Sequence, residues 1–295
     1  MLDDALSLQM AQRCHKIMSH SAVLAYSLLL AGLVLQPAHA ADDFFENDAQ
    51  TPSPITDLFA LRASFFHATV KTDLRLDPGG DPLGGTALSG TRDLGFKPSE
   101  NDGLAELMFR LRDRNRIRAD FLELDQSGTT TLTRPIVFGS EVFNRGDSVQ
   151  AALQWRVLAL TWTYAIIQND RFELGLGLGA HLMDLDVRGT VPSRFASYEA
   201  SIAGGLPTPA IDTAWRITRR FSLTARGNYL KGALNRTSGV IGDFHADAQF
   251  RWVPNFAVGA GYSWLRLKLD SVTLSSPEMA DIKLRGPEVF VRASF

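Results

Sequence analysis

Residues 242–269 read GDFHADAQFRWVPNFAVGAGYSWLRLKL, two alternating runs joined by Pro254-Asn255. In the first run, apolar and polar side chains occupy alternate positions, so the even-numbered and odd-numbered residues form two sets, each of one parity. The apolar set is Phe244, Ala246, Ala248, Phe250 and Trp252, and the polar set is Asp243, His245, Asp247, Gln249 and Arg251. A repeat of two residues is typical of a β-strand with one apolar and one polar face. The two runs therefore predict a β-hairpin with a two-residue turn.

The chain after residue 58 repeats this arrangement. Short polar turns join three further pairs of runs: 104–112 with 116–124, 149–167 with 172–186, and 209–218 with 221–231. The alternate connections are longer and rich in Gly, Ser, Pro and Asp: 77–101, 126–147, 189–206, 232–240 and 270–281. With a first run at 59–76 and a last at 283–295, the pattern predicts ten strands. Eight strands remain open if two runs are loops, and twelve if 129–143 forms a spanning hairpin.

Short turns at one end and long loops at the other are typical of an all-β fold, the transmembrane antiparallel up-and-down β-barrel of outer membranes. In such barrels the short turns face the periplasm and the long loops face outside. Aromatic residues at the predicted turns and chain ends match the girdle found at a membrane interface. They are Phe59, Tyr164, Phe172, Trp215, Phe221, Trp252, Phe256 and Phe295.

Composition excludes several other classes of protein. Of 295 residues, 45% are hydrophobic and 21% charged, and the formal net charge is −2. These values exclude a disordered chain and give no electrostatic reason to expect a nucleic-acid partner. The single cysteine, Cys14, lies near the N-terminus, so the exported chain is predicted to have no disulfide and no thiolate site.

The N-terminal part predicts export. An apolar run at 21–35 follows basic residues and precedes Ala38-His39-Ala40, which predicts a cleaved signal peptide over residues 1–40. A flexible N-terminal lead is then expected over 41–56, and the transmembrane barrel over 57–295. Acidic residues close to the first methionine leave three start sites open: Met1, Met10 and Met18.

The last run alternates in the same way and ends at Phe295, with Val289 and Val291 on one parity and Glu288 and Arg292 on the other. An alternating last strand that ends in Phe resembles the targeting signal of small Gram-negative outer-membrane β-barrel proteins. The stretches 93–96, 109–118 and 172–180 resemble an uncharacterised branch of the same group. The resemblance implies a place in the bacterial outer membrane, recognition of Phe295 by the barrel-assembly machinery, and contact with outer-membrane lipid and lipopolysaccharide. It implies no particular activity.

Inward-facing charges are the candidate functional residues. If the polar parity faces the lumen, the lumen-lining residues are Arg62, Glu106, Arg110, Arg118, Asp120, Arg156, Asp212, Arg216, Arg226, Asp243, His245, Asp247, Arg251, Glu288 and Arg292. Charges of both signs in a narrow barrel should pair across neighbouring strands. A barrel of about ten strands is wide enough only for side chains, a small ligand or a thin channel. An excess of Arg in this set would favour anionic solutes if a path is open.

Catalytic chemistry is not predicted, although two groups of residues could place a carboxylate beside an imidazole. They are His181 with Asp184 and Asp186, and His245 with Asp243 and Asp247. No G-x-S-x-G elbow supplies a nucleophile. We therefore predict no catalytic residue, no cofactor and no metal site. The loop 77–81 (DPGGD) offers oxygen ligands for Ca²⁺, but turns of this composition are common without metal.

These observations predict a non-enzymatic outer-membrane protein, either a structural barrel or a narrow passive channel for small polar solutes. Two alternatives remain open. One is an outer-membrane hydrolase or lipid-modifying enzyme with its site at the extracellular rim, near His181 or His245. The other is a surface receptor or adhesin that acts through the long loops 77–101 and 126–147.

Overall fold

The computed structural model describes residues 52–75, 86–138, 141–234, 237–273 and 276–295. The predicted signal peptide at 1–40, most of the lead at 41–56 and the candidate Ca²⁺ loop at 77–81 lie outside the described residues. The strands, in chain order, are β1 (Phe59–Arg75), β2 (Ala87–Ser89), β3 (Ser99–Leu111), β4 (Asn115–Thr131), β5 (Ile136–Phe138), β6 (Glu141–Phe143), β7 (Ser148–Gln168), β8 (Phe172–Val191), β9 (Ala196–Arg216), β10 (Phe221–Leu234), β11 (Thr237–Val253), β12 (Phe256–Thr273) and β13 (Ser276–Ser294). A one-turn helix, α1 (Gly90–Asp93), follows β2, and a 3₁₀ turn (Pro192–Arg194) follows β8. In the described ranges, no helix has the length and hydropathy needed to cross a membrane.

Ten of the described strands close into an antiparallel barrel. Each is hydrogen-bonded to the next in the order β1-β3-β4-β7-β8-β9-β10-β11-β12-β13. The ring closes where β1 pairs with β13, from Ala60 opposite Ser294 to Arg75 opposite Met279. The predicted up-and-down barrel of ten strands is therefore confirmed. Strands β5 and β6 form a separate two-stranded sheet, so the stretch 129–143 does not supply two further spanning strands.

Outward-facing apolar side chains form a belt around the part of the barrel nearest the short turns. On β12 this apolar belt runs from Phe256 to Trp264 and on β13 from Pro287 to Phe295, nine residues in each case. Nine to eleven residues are what a tilted strand needs to cross a bilayer. Exposed members of the belt are Phe65, Phe109, Ile117, Phe121, Leu158, Leu160, Trp162, Tyr164, Leu176, Leu178, Leu182, Ile211, Trp215, Tyr229, Phe244, Phe250, Trp252, Val258, Tyr262, Val289, Val291 and Phe295. A continuous apolar belt of this kind is the lipid-facing surface of transmembrane barrels.

The polarity of both faces reverses where the belt ends. On β4 the outward parity changes from Phe121 to Glu123, and on β8 it changes from Leu182 to Asp184. Glu123 lies opposite Arg156 of β7, which lies opposite Asp184, so the change occurs at one height on three neighbouring strands. Beyond the belt the barrel therefore continues with a polar outer surface and an apolar interior.

Arg156 faces outward, so its predicted place on the inner wall was wrong. Its side chain is 39% exposed and its Nε donates to Glu123 Oε1 at 2.9 Å on the outer surface. The neighbouring Trp155 and Val157 face the interior and are buried. Strand β7 carries apolar residues on both parities, so alternation alone does not identify its inner face. Polarity reverses along this strand, and in the half farther from the short turns the apolar face points inward.

Three of the predicted long loops are largely strand. Strands β8 and β9 remain paired as far as Val191 opposite Ala196. The pairs β10–β11 and β12–β13 likewise continue through most of 232–240 and 270–281. The polar composition of these stretches predicted loops, but strands outside the belt need no apolar outer face. Polar, Gly-containing strands can therefore extend the barrel there.

Residues 86–98, which belong to the predicted loop 77–101, fold into the long-loop end of the barrel. Leu88, Leu94 and Phe96 are at most 2% exposed. Gly95 has a φ of +73°, and a Cβ on Gly128 would lie 2.4 Å from the Gly95 backbone. Glycine is needed at both positions because the two backbones touch and one has left-handed geometry. This part of the predicted loop 77–101 thus closes the barrel end.

Asp93 anchors this segment. Its carboxylate accepts a hydrogen bond from the Ser89 N–H at 2.9 Å and pairs with Arg92 at 2.9 Å and with Arg134 at 3.4 Å. Partial burial raises the pKa of the Asp93 carboxyl, but the hydrogen bonds from Arg92 and Ser89 and the charge of Arg134 outweigh it and hold the pKa below its usual value. The anchor is therefore charged across the neutral pH range.

Candidate functional site: the ion-paired interior

The interior of the barrel has two layers. Nearest the short turns lies an ionic layer, whose charged members among the described residues are Asp57, Arg62, Glu106, Arg110, Arg116, Arg118, Asp120, Glu173, Asp212, Arg216, Arg226, Asp243, Asp247, Arg251, Glu288 and Arg292. Beyond it lies an apolar layer, whose larger members are Phe66, Val70, Leu74, Leu94, Phe96, Leu122, Leu124, Phe143, Leu153, Trp155, Leu185, Leu265, Leu267, Ile282 and Leu284. Thirteen of the fourteen predicted lumen residues other than Arg156 are buried, and the side chain of Arg226 is 11% exposed.

One chain of ion pairs begins on β3 and crosses to β8 and β9. Arg110 donates to Glu173 Oε2 at 2.9 Å, and Arg116 donates to Glu173 Oε1 at 2.5 Å. Arg116 also pairs with Asp212, which accepts from Arg118 at 2.6 Å. Each carboxylate thus serves two guanidinium groups, and each lies two or three strands from its partners in the ring.

The same chain continues across the full width of the barrel. Arg118 pairs with Asp120 at 3.4 Å, and Asp120 pairs with Arg226 of β10 at 3.3 Å. Arg226 also pairs with Glu106 of β3 at 2.9 Å. Strands β3 and β10 are five positions apart in a ring of ten, so this last ion pair joins opposite walls.

A second group of ion pairs is centred on Arg62. Its guanidinium donates to Asp247 at 2.8 Å and to Glu288 at 2.5 Å. It also lies 3.6 Å from the ring centroid of Phe290, a cation–π contact. A Cβ on Gly259 would lie 2.2 Å from the Phe290 ring, so the glycine gives the ring the space that it needs.

The boundary between the two layers holds a Ser–His–Asp cluster. Ser263 Oγ lies 2.6 Å from His245 Nδ1, and Asp243 Oδ1 lies 2.7 Å from His245 Nε2. His181 Nε2 is 3.7 Å from the other oxygen of Asp243, and Glu288 is 3.8 Å from His245 Nδ1. Sequence reasoning missed Ser263, because only the pairing of β11 with β12 places it opposite His245.

This cluster differs from the serine hydrolase arrangement in two ways. In that arrangement His Nε2 faces the serine and Nδ1 faces the carboxylate, which is the reverse of the present contacts. Ser263, His245 and Asp243 are also only 3%, 5% and 7% exposed, and they lie beneath the apolar layer. The predicted location of His181 and His245 at an extracellular rim is therefore wrong.

The second predicted His–carboxylate group does not assemble. His181 is fully buried, whereas Asp184 and Asp186 share the outward parity of β8 with the belt residue Leu182. Successive strand residues point to opposite faces, so an odd separation along a strand puts two side chains on opposite sides of the wall. The partner that His181 does approach is Asp243, three strands away.

The end of the predicted lead, together with Asp57 directly after it, closes the short-turn end of the barrel. The side chain of Asp57 is 3% exposed and pairs with Arg251 at 2.7 Å and with Arg292 at 3.2 Å. The Pro54 carbonyl accepts hydrogen bonds from Arg116 at 3.1 Å and from Arg110 at 3.3 Å. The described part of the lead is thus fixed by the ionic layer and not loose.

Three charged members of the ionic layer were not predicted. Arg116 and Glu173 have the inward parity of Arg118 and Gly175, so alternation could have placed them. Asp57 precedes the first strand, where no periodicity marks it. With these residues included, eight arginines face eight carboxylates among the described members of the ionic layer, and the expected Arg excess is absent. In the described ranges no group of three or more His, Asp or Glu residues is arranged to hold a metal ion.

The comparison with solved structures supports this architecture. The outer membrane protease OmpT of Escherichia coli aligns with a TM-score of 0.51 at 13% identity, over 84% of this chain and 100% of that chain. This chain has the fold of an outer-membrane β-barrel. At such low identity the likeness extends to the fold alone.

Two further solved barrels align with much lower scores. Neisserial surface protein A aligns with a TM-score of 0.32 at 10% identity, over 80% of this chain and 97% of that chain. The toluene transporter TodX of Pseudomonas putida aligns with a TM-score of 0.32 at 8% identity, over 84% of this chain and 94% of that chain. Scores this low support no inference. No family model matches the chain, and no curated protein matches it.

Proposed function

We propose that this protein is an integral barrel of the bacterial outer membrane that is closed to solutes and serves as a structural barrel. The observation that carries the proposal is the ion pair between Arg226 and Glu106, which joins opposite walls at 2.9 Å. A lumen bridged by paired side chains and then filled by the packed apolar layer offers no continuous polar path. The narrow passive channel for small polar solutes is therefore the less favoured form of the hypothesis.

The outer membrane is the proposed location for three reasons. The predicted signal peptide at 1–40 directs export, and the apolar belt has the height that a bilayer requires. Phe295 also lies at the seam where the barrel closes: its N–H donates to the Phe59 carbonyl at 2.9 Å, and the residue is 60% exposed. An exposed ring at the end of the last strand is accessible to the barrel-assembly machinery before β13 pairs with β1.

Replacing Phe295 with Ala should reduce assembly in cells and leave folding in detergent intact, because the ring makes few buried contacts. The measurement is the amount of heat-modifiable protein in the outer-membrane fraction, compared on gels of unboiled and boiled samples. Phe195→Ala is the matched control, since Phe195 is 96% exposed at the opposite end of the barrel. Equal assembly of both variants would contradict the role of Phe295. Extraction of the wild type into buffer without detergent would contradict the membrane location.

The purified wild-type barrel should produce no stepwise conductance in planar bilayers, although it migrates as a folded, heat-modifiable species. The physical reason is that both interior layers obstruct the lumen. A porin inserted under the same conditions serves as the positive control. Reproducible steps from the wild type, absent from mock preparations, would overturn the closed barrel and restore the channel hypothesis.

The two alternative functions have weaker support. A hydrolase at Ser263 would need a path for substrate through the apolar layer, so the proposal gives the Ser263–His245–Asp243 cluster a structural role. An adhesin that acts through loops 77–101 and 126–147 would need them to project outward. Within the described residues, Leu94, Phe96 and Phe143 of these loops are instead buried in the apolar layer.

A further inference from the structure

A row of basic residues lies on the outer surface of the barrel immediately beyond the apolar belt. Arg266 of β12, Lys283 of β13 and Lys71 of β1 lie opposite one another in register. Arg285 lies on the same face of β13, two residues nearer the belt than Lys283, and is opposite Trp264. The polarity reversal thus places four cations on three adjacent strands, at the edge of the belt nearer the long-loop end.

The positive charge of this row is only partly neutralised. Asp281 pairs with Arg266 at 3.0 Å and with Lys283 at 3.0 Å, so a single carboxylate serves two cations. Lys71 has a 65% exposed side chain and pairs with Asp73 at 3.3 Å, and among the described residues Arg285 makes no ion pair. Like charges directly opposite each other on neighbouring strands are destabilising. An anion bound to the row would relieve this repulsion.

The charge is confined to one side of the barrel. On β4, β7 and β8 the two outward positions next to the belt hold the acidic residues Glu123, Asp125, Asp184 and Asp186 against Arg156 alone, and farther out Glu199 of β9 pairs with Arg188. The net charge of −2 for the whole chain gives no sign of this division. A general attraction to an anionic membrane surface would place cations on all sides, so the asymmetry indicates a localised site.

Two aromatic rings lie beside the basic row. A Cβ on Gly242 would lie 2.6 Å from the Trp264 ring and 3.2 Å from the Tyr229 ring, so both rings cover the glycine. Tyr229 is 53% exposed, and it lies in the same register row as Gly242 and Arg266. The absence of a side chain at Gly242 therefore allows an aromatic surface next to the cations.

We propose that this basic collar, defined as Lys71, Arg266, Lys283 and Arg285 with Tyr229 and Trp264, binds the phosphorylated sugar headgroup of lipopolysaccharide. Phosphate groups would accept charge-assisted hydrogen bonds from the cations, the C–H face of a sugar ring would pack on the aromatic surface, and the acyl chains would lie along the apolar belt below. The inference rests on the proposed function, because it requires the belt to lie in the outer membrane with the long loops outside.

In the test, purified lipopolysaccharide is titrated into the folded barrel in detergent. The readout is the temperature at which the folded band on a gel converts to the unfolded band. Lys283→Gln/Arg285→Gln removes two charges of the collar and keeps the pair between Arg266 and Asp281. Arg156→Gln/Arg188→Gln removes two charges from the acidic side and is the matched control. A cation near an anionic lipid surface contributes about fivefold in affinity. The collar variant should therefore bind at least tenfold more weakly than the wild type, and the control variant as tightly as the wild type.

Two further arms identify the ligand. Dephosphorylated lipopolysaccharide should stabilise the wild type much less than the intact lipid. Inorganic phosphate at matched concentration should not compete, because it lacks the sugar and the acyl chains. Equal stabilisation by intact and dephosphorylated lipid, equal losses in both variants, or full competition by inorganic phosphate would each overturn the proposal. All arms start from the folded, heat-modifiable species, so any of these three results would leave the proposed closed barrel standing. Failure to obtain the folded species would instead count against the proposed function.

Discussion

Replacing Asp212 with Asn should lower the free energy of unfolding by about 3–5 kcal/mol, the usual effect of removing one partner of a buried ion pair. The carboxylate of Asp212 is 4% exposed and pairs with both Arg116 and Arg118, whose side chains are 7% and 6% exposed. An amide keeps the shape of the carboxylate but leaves the two guanidinium groups short of one negative charge. Because both guanidinium groups are buried, water compensates for the lost charge only weakly.

Glu199→Gln is the control, because it makes the same chemical change on the same strand at an exposed site. Glu199 pairs with Arg188 on the outer surface, and both side chains are more than half exposed. Exposed pairs of this kind contribute about 0–1 kcal/mol. Reversible denaturant unfolding of the lipid-reconstituted barrel, followed by tryptophan fluorescence, measures both variants. Similar losses for Asp212→Asn and Glu199→Gln would contradict a stabilising ionic layer.

A second substitution separates charge imbalance from lost packing. Arg118→Met in the Asp212→Asn background restores the balance of charge and retains an apolar stem of similar length. The double variant should be more stable than Asp212→Asn alone, since the uncompensated cation is gone. No recovery would mean that the effect of Asp212→Asn comes from distorted packing and not from unpaired charge.

Replacing Trp155 with Ala should also cost about 3–5 kcal/mol, here by opening a cavity in the apolar layer. Trp155 is fully buried, and its register neighbours Leu124 and Leu185 are also buried in that layer. Trp162 lies on the same strand with the opposite parity and is 45% exposed on the belt. Trp162→Ala leaves no cavity, because lipid or detergent fills the vacated space, so we expect a clearly smaller loss.

The same pair of variants tests whether the apolar layer is a gate or a structural filling. A Trp155→Ala barrel that is destabilised but silent in planar bilayers is the expected result, because the ion pair between Arg226 and Glu106 still bridges the lumen. Trp155→Phe is the conservative variant and should retain most of the stability. A Trp155→Ala barrel that conducts steadily at unchanged stability would contradict the structural assignment.

Much of the barrel was predictable from the sequence. Ten strands, their antiparallel order and the inward positions of residues such as Arg62, Asp247 and Glu288 follow from two local signals. The first is the period of two residues, which is set by the alternation of side chains along any strand. The second is turn length, because only antiparallel neighbours can be joined by two or three residues.

The partners of the inward-facing charges depended on tertiary structure. Glu106 and Arg226 are 120 positions apart in the sequence and meet only because ring closure puts β3 and β10 on opposite walls. Ser263 lies beside His245 only through the register between two strands. Neither ring closure nor register is encoded in the pattern of a single strand.

The reversal of polarity beyond the belt was likewise decided by the tertiary structure. Alternation tells which residues share a face, but it does not tell which face points inward. That assignment depends on the surroundings. Lipid favours apolar side chains on the outer face within the belt, and water favours polar side chains on the outer face beyond the belt. Arg156 has the same parity as Leu158, and the two lie on either side of that boundary. The sequence by itself therefore determined the strands and their faces, whereas the closed ring determined which charges pair, because pairing depends on the distance across the barrel and not on the distance along the chain.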